Sequence, residues 1–395
     1  MGERGWWRVA PALLMVAWGG NHFSPLLLLY RQQQGYTQVE VDLLFAVYIV
    51  GIIPGFLVVG PLSDRFGRKP VVGAGLVLGC LGSVVLALGA TALPVLAVGR
   101  FVSGVSVAAA MVAGSSWIKE LSAGVAAPAA ARRASLTLTA GFGLGPAVSG
   151  SIAQWGPAPT VLPYVVHAVL SVAAAVPFVL ARETRAPREP GALRRPGPVP
   201  RAVRQRFTRV VAPAAPWVFG CAAVAFATIP SLVASRTGGG AIAYATLLAV
   251  VGLAAGAAVQ PFAARIGAAT GGRQLVVGLS VAVVGMLLAA LVALNGSPLL
   301  GVPAALVLGA GYGVCIVSGL TEVQRMAPAE HLAALTAVYY ALTYLGFLLP
   351  VLLAALAAVV PEPVLLILLA VVVAACLAAV ARGLRGGSRP ADARA

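Results

Sequence analysis

Residues 60–69 read Gly-Pro-Leu-Ser-Asp-Arg-Phe-Gly-Arg-Lys, and this short charged segment separates two long apolar runs at about residues 40–62 and 70–92. A helix of about 20 apolar residues is long enough to cross the hydrocarbon core of a bilayer, which is roughly 30 Å thick. The two runs are therefore expected to be membrane-spanning helices, and the charged segment is expected to be a tight turn between them at the membrane surface.

The same alternation of apolar runs and polar breaks continues along the chain. Of its 395 residues, 60% are hydrophobic and 10% are charged, whereas soluble domains carry about 25% charged residues. Helices satisfy their own backbone hydrogen bonds, which lipid cannot do for them. The sequence thus predicts an all-α integral membrane protein with about twelve transmembrane helices, at about residues 9–30, 40–62, 70–92, 94–118, 133–155, 160–181, 210–233, 241–264, 274–294, 297–320, 332–358 and 363–382.

The distribution of basic residues predicts the orientation, because Lys and Arg accumulate in cytoplasmic loops. With twelve spans and both termini in the cytoplasm, all of the 27 Lys and Arg residues except Arg31, Arg100 and Arg236 fall on the cytoplasmic side. The net charge of +16 then reflects topology, and no nucleic-acid partner is expected. We expect a multi-pass protein of the plasma (cytoplasmic) membrane, in contact with membrane lipid.

The longest non-apolar segment lies at the midpoint of the chain and is rich in Pro and Arg. We predict an N-terminal six-helix bundle over residues 1–181, a flexible cytoplasmic linker over 182–209, a C-terminal six-helix bundle over 210–382 and a cytoplasmic tail over 383–395. An alternative is that the arginine cluster of the linker binds a partner. In either case its charge would attract anionic lipid headgroups.

The charged turn resembles the loop motif of the major facilitator superfamily of transporters, G-x-L-x-D-R-x-G-R-[RK]. The matching residues are Gly60, Leu62, Asp64, Arg65, Gly67, Arg68 and Lys69. In that family the arginine pairs with an acid that ends the fourth helix, and the aspartate meets the eleventh helix. Such contacts hold in one transport state and break in the other, which makes a cytoplasmic gate. The resemblance implies that Asp64, Arg68 and Glu120 belong to this gate.

Two further patterns resemble features of the same superfamily. Residues 260–267 are similar to a degenerate copy of the loop motif, with Ala264 in place of the aspartate. A second copy fits two pseudo-symmetric bundles related by an axis along the membrane normal. In the fifth span, the antiporter motif G-x-x-x-G-P-x-x-G-G is matched by Gly141, Gly145, Pro146 and Gly150, with Ser149 in place of one glycine. That motif accompanies efflux in the family, and close helix packing is the alternative explanation.

In this superfamily the first, fourth, seventh and tenth helices line a central cavity. Polar residues are costly in lipid and should face the bundle interior, although an arginine near a helix end can instead snorkel to the headgroups. Aromatic walls suit lipophilic or aromatic substrates, and ordinary aromatic packing is the alternative. The candidates for contact with substrate or proton are Asn21, His22, Asp42, Arg100, Tyr312 and Tyr340. Of these, His22 and Asp42 are the candidate proton carriers, because a histidine titrates nearest to neutral pH.

Together these patterns predict a secondary active transporter that exports small lipophilic or drug-like compounds by proton antiport, with alternating access. No carboxylate is expected at mid-span, so uptake or facilitated diffusion of a metabolite by the same fold is the alternative. Other classes are an intramembrane enzyme and a transporter-like sensor. The sequence has no HExxH or GxSxG motif, no P-loop and no metal-ligand spacing among its four cysteines. We therefore expect no enzymatic activity, no cofactor and no metal.

Overall fold

The computed structural model describes residues 5–122, 127–185, 198–328 and 331–386, and every regular element in these ranges is a helix. Twelve of the helices are long and apolar enough to cross a membrane. They are α1 (Trp6–Gln34), α2 (Gln38–Phe66), α3 (Arg68–Leu88), α4 (Leu93–Leu121), α5 (Arg132–Trp155), α6 (Leu162–Val179), α7 (Arg201–Leu232), α8 (Ala234–Ala269), α9 (Gln274–Asn295), α10 (Pro298–Met326), α11 (Ala334–Leu356) and α12 (Glu362–Arg385).

The twelve spans confirm the predicted fold class, and several helices continue past their apolar runs. α7 begins at Arg201, whereas its apolar run begins near residue 210. α10 continues to Met326, beyond the predicted end near residue 320. Arg, Gln and Glu are good helix formers, so a helix can extend into its charged flank. Much of the predicted linker and tail, residues 186–197 and 387–395, lies outside the described residues.

The charged turn at residues 60–69 consists almost entirely of helix ends. α2 ends at Phe66, Gly67 alone joins the two helices, and α3 begins at Arg68. Gly67 has a φ of 98° and a ψ of 168°, a backbone conformation open to glycine and strained for other residues. The charged side chains of the turn therefore project from the last turn of α2 and the first turn of α3.

Local breaks interrupt the α-helical hydrogen bonding of five of the described spans. α1 contains a 3₁₀ turn directly after Asn21, His22 and Phe23. Irregular turns of this kind are frequent at functional sites. The breaks within the spans are the 3₁₀ turn Ser24–Leu26 in α1, the π-turn Ala110–Gly114 in α4, the π-turns Phe207–Val211 and Val224–Thr228 in α7, the 3₁₀ turns Gly238–Gly240 and Gln260–Phe262 in α8, and the 3₁₀ turn Leu345–Leu348 in α11.

The chain divides into two compact units: Met1–Arg194 with Thr237–Val250, and Arg195–Arg236 with Val251–Ala395. In the first unit α2 and α4 pack so closely at Gly104 that a Cβ atom there would collide with the carbonyl oxygen of Tyr48. In the second unit α8 and α10 pack in the same way, through Gly313 and the carbonyl oxygen of Gly256. Small residues at these crossings let the backbones approach, as is common between membrane helices.

Candidate functional site

Arg100 is the most buried charged side chain of the first unit. It lies on α4, is 1% exposed, and donates hydrogen bonds to three backbone carbonyls, those of Leu44, Phe45 and Gly20, at 3.2, 3.2 and 3.4 Å. Its guanidinium carbon lies 4.8 Å from the ring centres of both Phe23 and Tyr48. Such burial excludes snorkelling along the surface. Among the described residues no carboxylate pairs with it.

His22 is fully buried. It lies on α1 between Gly20, whose carbonyl oxygen accepts from Arg100, and Phe23, whose ring contacts the guanidinium. Its ring centre is 4.9 Å from that of His167 and 5.0 Å from that of Tyr164, both in edge-on arrangements. Neither ring nitrogen of His22 has a hydrogen-bond partner among the described residues. A neutral imidazole carries one donor and one acceptor, so His22 has free capacity for both.

His167 on α6 is the contrasting case, because both of its ring nitrogens are used. Nε2 lies 2.8 Å from the carbonyl oxygen of Met15, and Nδ1 lies 2.7 Å from the Ser83 hydroxyl. A carbonyl oxygen only accepts, so Nε2 carries the proton of the neutral ring and Nδ1 accepts from Ser83. His167 therefore ties α6 to α1 and α3 as a packing residue.

Asn21 and the tyrosines near His22 are also satisfied by neighbours. Asn21 donates through Nδ2 to the carbonyl oxygen of Phe142 at 3.1 Å, and its Oδ1 accepts from Ser24 at 2.8 Å. The hydroxyls of Tyr30 and Tyr164 lie 3.0 Å apart. We call Asn21, His22, Arg100, Tyr164 and His167 the polar core of the first unit. Within it, His22 is the member whose side-chain nitrogens lack partners among the described residues.

Asp42 lies near the start of α2 and is 2% exposed. Its Oδ2 accepts from the Gln38 amide at 2.9 Å, and the Oε1 atom of Gln38 accepts from Arg31 at 2.8 Å. Oδ1 has no partner among the described residues. Asp42 is thus linked to Arg31 through Gln38, and it forms no ion pair with Arg100.

The glycines of the fifth-span motif allow α5 to pack tightly. A Cβ atom on Gly141 would collide with the carbonyl oxygen of Leu14, and one on Gly145 would lie 2.7 Å from that of Trp18. A Cβ atom on Gly150 would likewise collide with the side chain of Thr246, which belongs to the same unit. Pro146 lies inside the α5 helix. Close packing of α5 on α1 is therefore a sufficient structural explanation for Gly141 and Gly145.

Arg68 contacts both of the other residues that the family resemblance assigned to a gate, Asp64 and Glu120. Its Nη2 lies 3.0 Å from Oε1 of Glu120 at the end of α4, and its Nη1 lies 3.2 Å from Oδ1 of Asp64. Nη1 also donates to the Ser63 hydroxyl at 2.8 Å. Arg65 instead places its guanidinium over Phe66 at 5.0 Å. The remaining motif residues differ in exposure, with Gly60 half-buried and Leu62 exposed.

Residues 183–185 complete this cluster, and the sequence reasoning missed them. Arg185 pairs with Oδ1 of Asp64 at 2.9 Å, and Thr184 donates to Oε2 of Glu120. Glu183 accepts hydrogen bonds from the backbone N–H groups of Arg68 and Lys69 at 3.1 and 2.7 Å. The Lys69 ammonium donates to the carbonyl oxygens of Val179 and Ala181, at the end of α6.

Glu183 stabilises the N-terminus of α3, where backbone N–H groups lack helical partners. Partial burial acts to raise the pKa of Glu183, but hydrogen bonds from four backbone N–H groups outweigh it and leave the pKa below its usual value. The favourable field of a helix N-terminus acts in the same direction. The chain has only eleven Asp and Glu residues, and one of them, Glu183, directly follows the sixth span. That position was the signal from which the sequence could have indicated a role for Glu183.

The second unit contains an ion pair with a buried carboxylate, and the sequence reasoning missed this pair as well. Glu322 on α10 accepts from Nε and Nη2 of Arg206 on α7. The side chain of Glu322 is 5% exposed and that of Arg206 is 40% exposed. The apolar run of α10 ends near residue 320, so the sequence placed Glu322 outside the span. The helix in fact continues through it.

The two candidate tyrosines of the second unit, Tyr312 and Tyr340, lie among other aromatic residues. Tyr339 is 1% exposed and donates to the carbonyl oxygen of Ile316 at 2.9 Å. Tyr340 is half-buried, with its ring centre 5.6 Å from that of Tyr339. Tyr312 is half-buried and lies 5.7 Å from Phe219. Phe219 also contacts the aromatic rings of Tyr344 and Phe347.

Comparison with known protein families gives a match over most of the chain. The family model described as Major Facilitator Superfamily matches residues 9–350. Two solved structures share the fold over nearly the full chain. A POT family transporter in complex with 5-aminolevulinic acid has a TM-score of 0.80 at 12% identity, covering 98% of this chain and 97% of that one. The nucleoside transporter NupG has a TM-score of 0.75 at 10% identity, covering 96% and 98%.

Two curated relatives match over a shorter segment. The 4-hydroxybenzoate transporter PcaK of Acinetobacter baylyi is 32% identical over 126 residues, which are 31% of this chain and 26% of that protein. PcaK of Pseudomonas putida is 32% identical over 154 residues, which are 38% and 32% of the two chains. The chain thus matches about a quarter to a third of the length of these relatives. With its twelve apolar helices and the match of a family model to residues 9–350, the chain belongs to the major facilitator superfamily of membrane transporters.

Proposed function

We propose that the chain imports a small aromatic carboxylate across the plasma membrane by secondary active transport. The observation that carries this proposal is Arg100, a buried guanidinium without a carboxylate partner among the described residues. A buried charge without a counter-ion is energetically costly. The carboxylate of a bound substrate would supply the missing charge, and the partial similarity to 4-hydroxybenzoate transporters supports this substrate class.

His22 and the rings around Arg100 support an aromatic substrate with a polar substituent. His22 has one donor and one acceptor without partners among the described residues, which matches a carboxylate oxygen on one side and a hydroxyl group on the other. The rings of Phe23 and Tyr48 flank Arg100, and those of Tyr164 and His167 flank His22. Offset or edge-on contacts with such rings favour an aromatic ligand.

Import of an anion calls for a coupling ion. Moving one negative charge into a cell against an inside-negative potential costs about 2.3 kcal/mol per 100 mV. Cotransport of a proton makes the overall step electroneutral, so we propose proton symport. His22 and Asp42 are the proposed proton carriers, because each is a buried titratable group of the first unit with an atom that lacks a hydrogen-bond partner among the described residues.

Export of lipophilic compounds by proton antiport is the second candidate. The observation in its favour is the small-residue stripe of α5, which resembles the antiporter motif. That stripe is also explained by packing of Gly141 and Gly145 against α1. The hydrogen bonds of Arg100 to backbone carbonyls leave its charge without a counter-ion among the described residues, and packing does not explain that. Import therefore ranks first.

The cluster around Arg68 is proposed to be the cytoplasmic gate, with both termini in the cytoplasm. Its ion pairs join α2, the end of α4 and the segment after α6, so a movement of any one of these would break them. The proposed orientation predicts that a cysteine in place of Arg195 is protected from a membrane-impermeant reagent added outside intact cells. Labelling from outside would contradict it.

The test is transport by the purified chain in liposomes. With the interior alkaline, radiolabelled 4-hydroxybenzoate should accumulate, and collapse of the pH gradient should abolish accumulation. Neutral 4-hydroxybenzyl alcohol should not compete. Arg100→Lys should lower uptake, whereas Arg132→Gln, a charge loss at an exposed arginine, should not. If a lipophilic cation is instead driven out against the proton flow and the acid is not taken up, export by antiport replaces the proposal.

A further inference from the structure

The first unit carries an open apolar groove of about 570 Å³ between α1, α5 and α6. Its walls include Trp6, Trp7, Leu14, Leu170 and Pro177. Its one hydroxyl-bearing residue, Thr137, uses that hydroxyl to donate to a carbonyl oxygen of its own helix at 2.8 Å. The groove is therefore suited to a hydrocarbon chain, and it offers no polar group that would recognise a substrate along its length.

The groove has the depth of one membrane leaflet. Its lining residues on α1 extend from Trp6 to Met15, which is about 13 Å at a helical rise of 1.5 Å per residue. Half of a hydrocarbon core of roughly 30 Å is about 15 Å. Two tryptophans stand at one end, and tryptophan is enriched where acyl chains meet headgroups. One end of the groove is thus placed at the headgroup level.

Two arginines sit over these two tryptophans. The guanidinium carbon of Arg133 lies 5.0 Å from the ring centre of Trp6, and that of Arg8 lies 5.5 Å from that of Trp7. Arg8 also donates through Nη1 to the carbonyl oxygen of Leu180 at 2.8 Å. The headgroup end of the groove therefore carries two positive charges. In the described part of the chain, neither arginine belongs to an ion pair.

Each arginine also has a nitrogen with no acceptor. Nε of Arg8 and Nη1 of Arg133 are shielded from solvent, and neither has a hydrogen-bond partner among the described residues. A phosphodiester offers two anionic oxygens, and arginine binds such oxygens through strong charge-assisted hydrogen bonds. Two guanidinium groups carry more positive charge than one phosphate neutralises. A lipid whose headgroup also carries a cation would therefore bind less well than an anionic lipid.

We propose that this groove is a binding site for an anionic phospholipid. One acyl chain lies in the groove against α1, α5 and α6, and the phosphodiester accepts hydrogen bonds from Arg8 and Arg133. The lipid would belong to the leaflet that holds the N-terminal end of α1. The site is independent of the proposed transport chemistry, because it shares no residue with the polar core or with the Arg68 cluster.

The test measures lipid binding to the full chain in detergent by native mass spectrometry, with phosphatidylglycerol and phosphatidylcholine as probes. We expect phosphatidylglycerol to bind about tenfold more tightly than phosphatidylcholine, and the Arg8→Gln/Arg133→Gln double variant to lose about tenfold in phosphatidylglycerol affinity. Arg132→Gln is the matched control, since it removes an adjacent exposed charge, and it should bind like the wild type.

A second variant tests the groove without changing charge. Ala173 lines the groove and is exposed, so Ala173→Phe should fill it and weaken phosphatidylglycerol binding while the melting temperature in lipid-free detergent stays that of the wild type. Equal binding of phosphatidylglycerol by wild type, the double variant and Ala173→Phe would overturn the proposal. Displacement of the lipid by inorganic phosphate at an equal concentration would also overturn it, because the site would then recognise a free anion.

Discussion

The ion pair between Arg206 and Glu322 predicts an asymmetric response to loss of either partner. Glu322 has a side chain that is 5% exposed, whereas that of Arg206 is 40% exposed. Removing one partner of a buried pair costs about 3–5 kcal/mol, because the other is left charged and unsolvated. An exposed pair is worth about 0–1 kcal/mol. Arg206→Gln strands the buried carboxylate and should cost about 3 kcal/mol, whereas Glu322→Gln leaves an arginine that water reaches and should cost about 1 kcal/mol.

The assay is equilibrium unfolding of the purified variants in mixed micelles with increasing dodecyl sulfate, followed by tryptophan fluorescence and circular dichroism. The double variant should be less destabilised than the sum of the two single variants, because the pair is coupled. Arg204→Gln, on the same turn but exposed, is the control and should have little effect. Equal losses in the two single variants, or a larger loss in Glu322→Gln, would refute the reasoning from exposure.

Three further predictions concern the first unit. Glu183→Gln should lower stability at pH 7 by about 1 kcal/mol, a typical cost for a helix N-terminal acceptor. Burial raises the pKa of Glu183 and backbone hydrogen bonds lower it more. The stability that wild type gains over Glu183→Gln should therefore be complete above about pH 4.3 and shrink as the pH falls through the lower pKa of the folded state. A difference in melting temperature that grows on acidification would contradict this. Asp64→Asn should fold normally but slow transport about fivefold by weakening its pairs with Arg68 and Arg185, and wild-type flux at equal expression would remove Asp64 from the gate. His22→Gln and Asp42→Asn, measured separately, should identify the proton carrier as the variant that loses gradient-driven uptake but keeps passive exchange; if both keep driven uptake, the assignment fails.

The fold could be predicted because hydropathy and the positive-inside pattern both depend on local composition. Twelve apolar runs became twelve long helices in the described part of the chain. The motif at residues 60–69 places Arg68 beside Glu120, the pair that the resemblance suggested, and also beside Asp64, which it did not suggest. Helix ends were less predictable. Charged residues that favour helix extend α7 back to Arg201, and hydropathy alone cannot register them.

The candidate site was harder to read, because it depends on which polar atoms find partners. His22 and His167 look alike in sequence, yet among the described residues both nitrogens of His167 have partners and those of His22 have none. Arg100 was expected to face the bundle interior or to snorkel to the headgroups, and the structure shows it buried against backbone carbonyls. Glu183 reaches the backbone N–H of Arg68 from beyond the end of α6, more than a hundred residues later in the chain, and no sequence spacing encodes that contact.

The central claim is that a substrate carboxylate is the counter-ion of Arg100, which has no carboxylate partner among the described residues. Its most direct test is equilibrium binding of 4-hydroxybenzoate and 4-hydroxybenzyl alcohol to the purified wild-type chain, compared with Arg100→Lys and with Arg132→Gln as the control. The account predicts that the acid binds at least about tenfold more tightly than the alcohol, and that Arg100→Lys reduces this preference while Arg132→Gln preserves it. Equal binding of the acid and the alcohol by the wild type, or an unchanged preference in Arg100→Lys, would contradict the account.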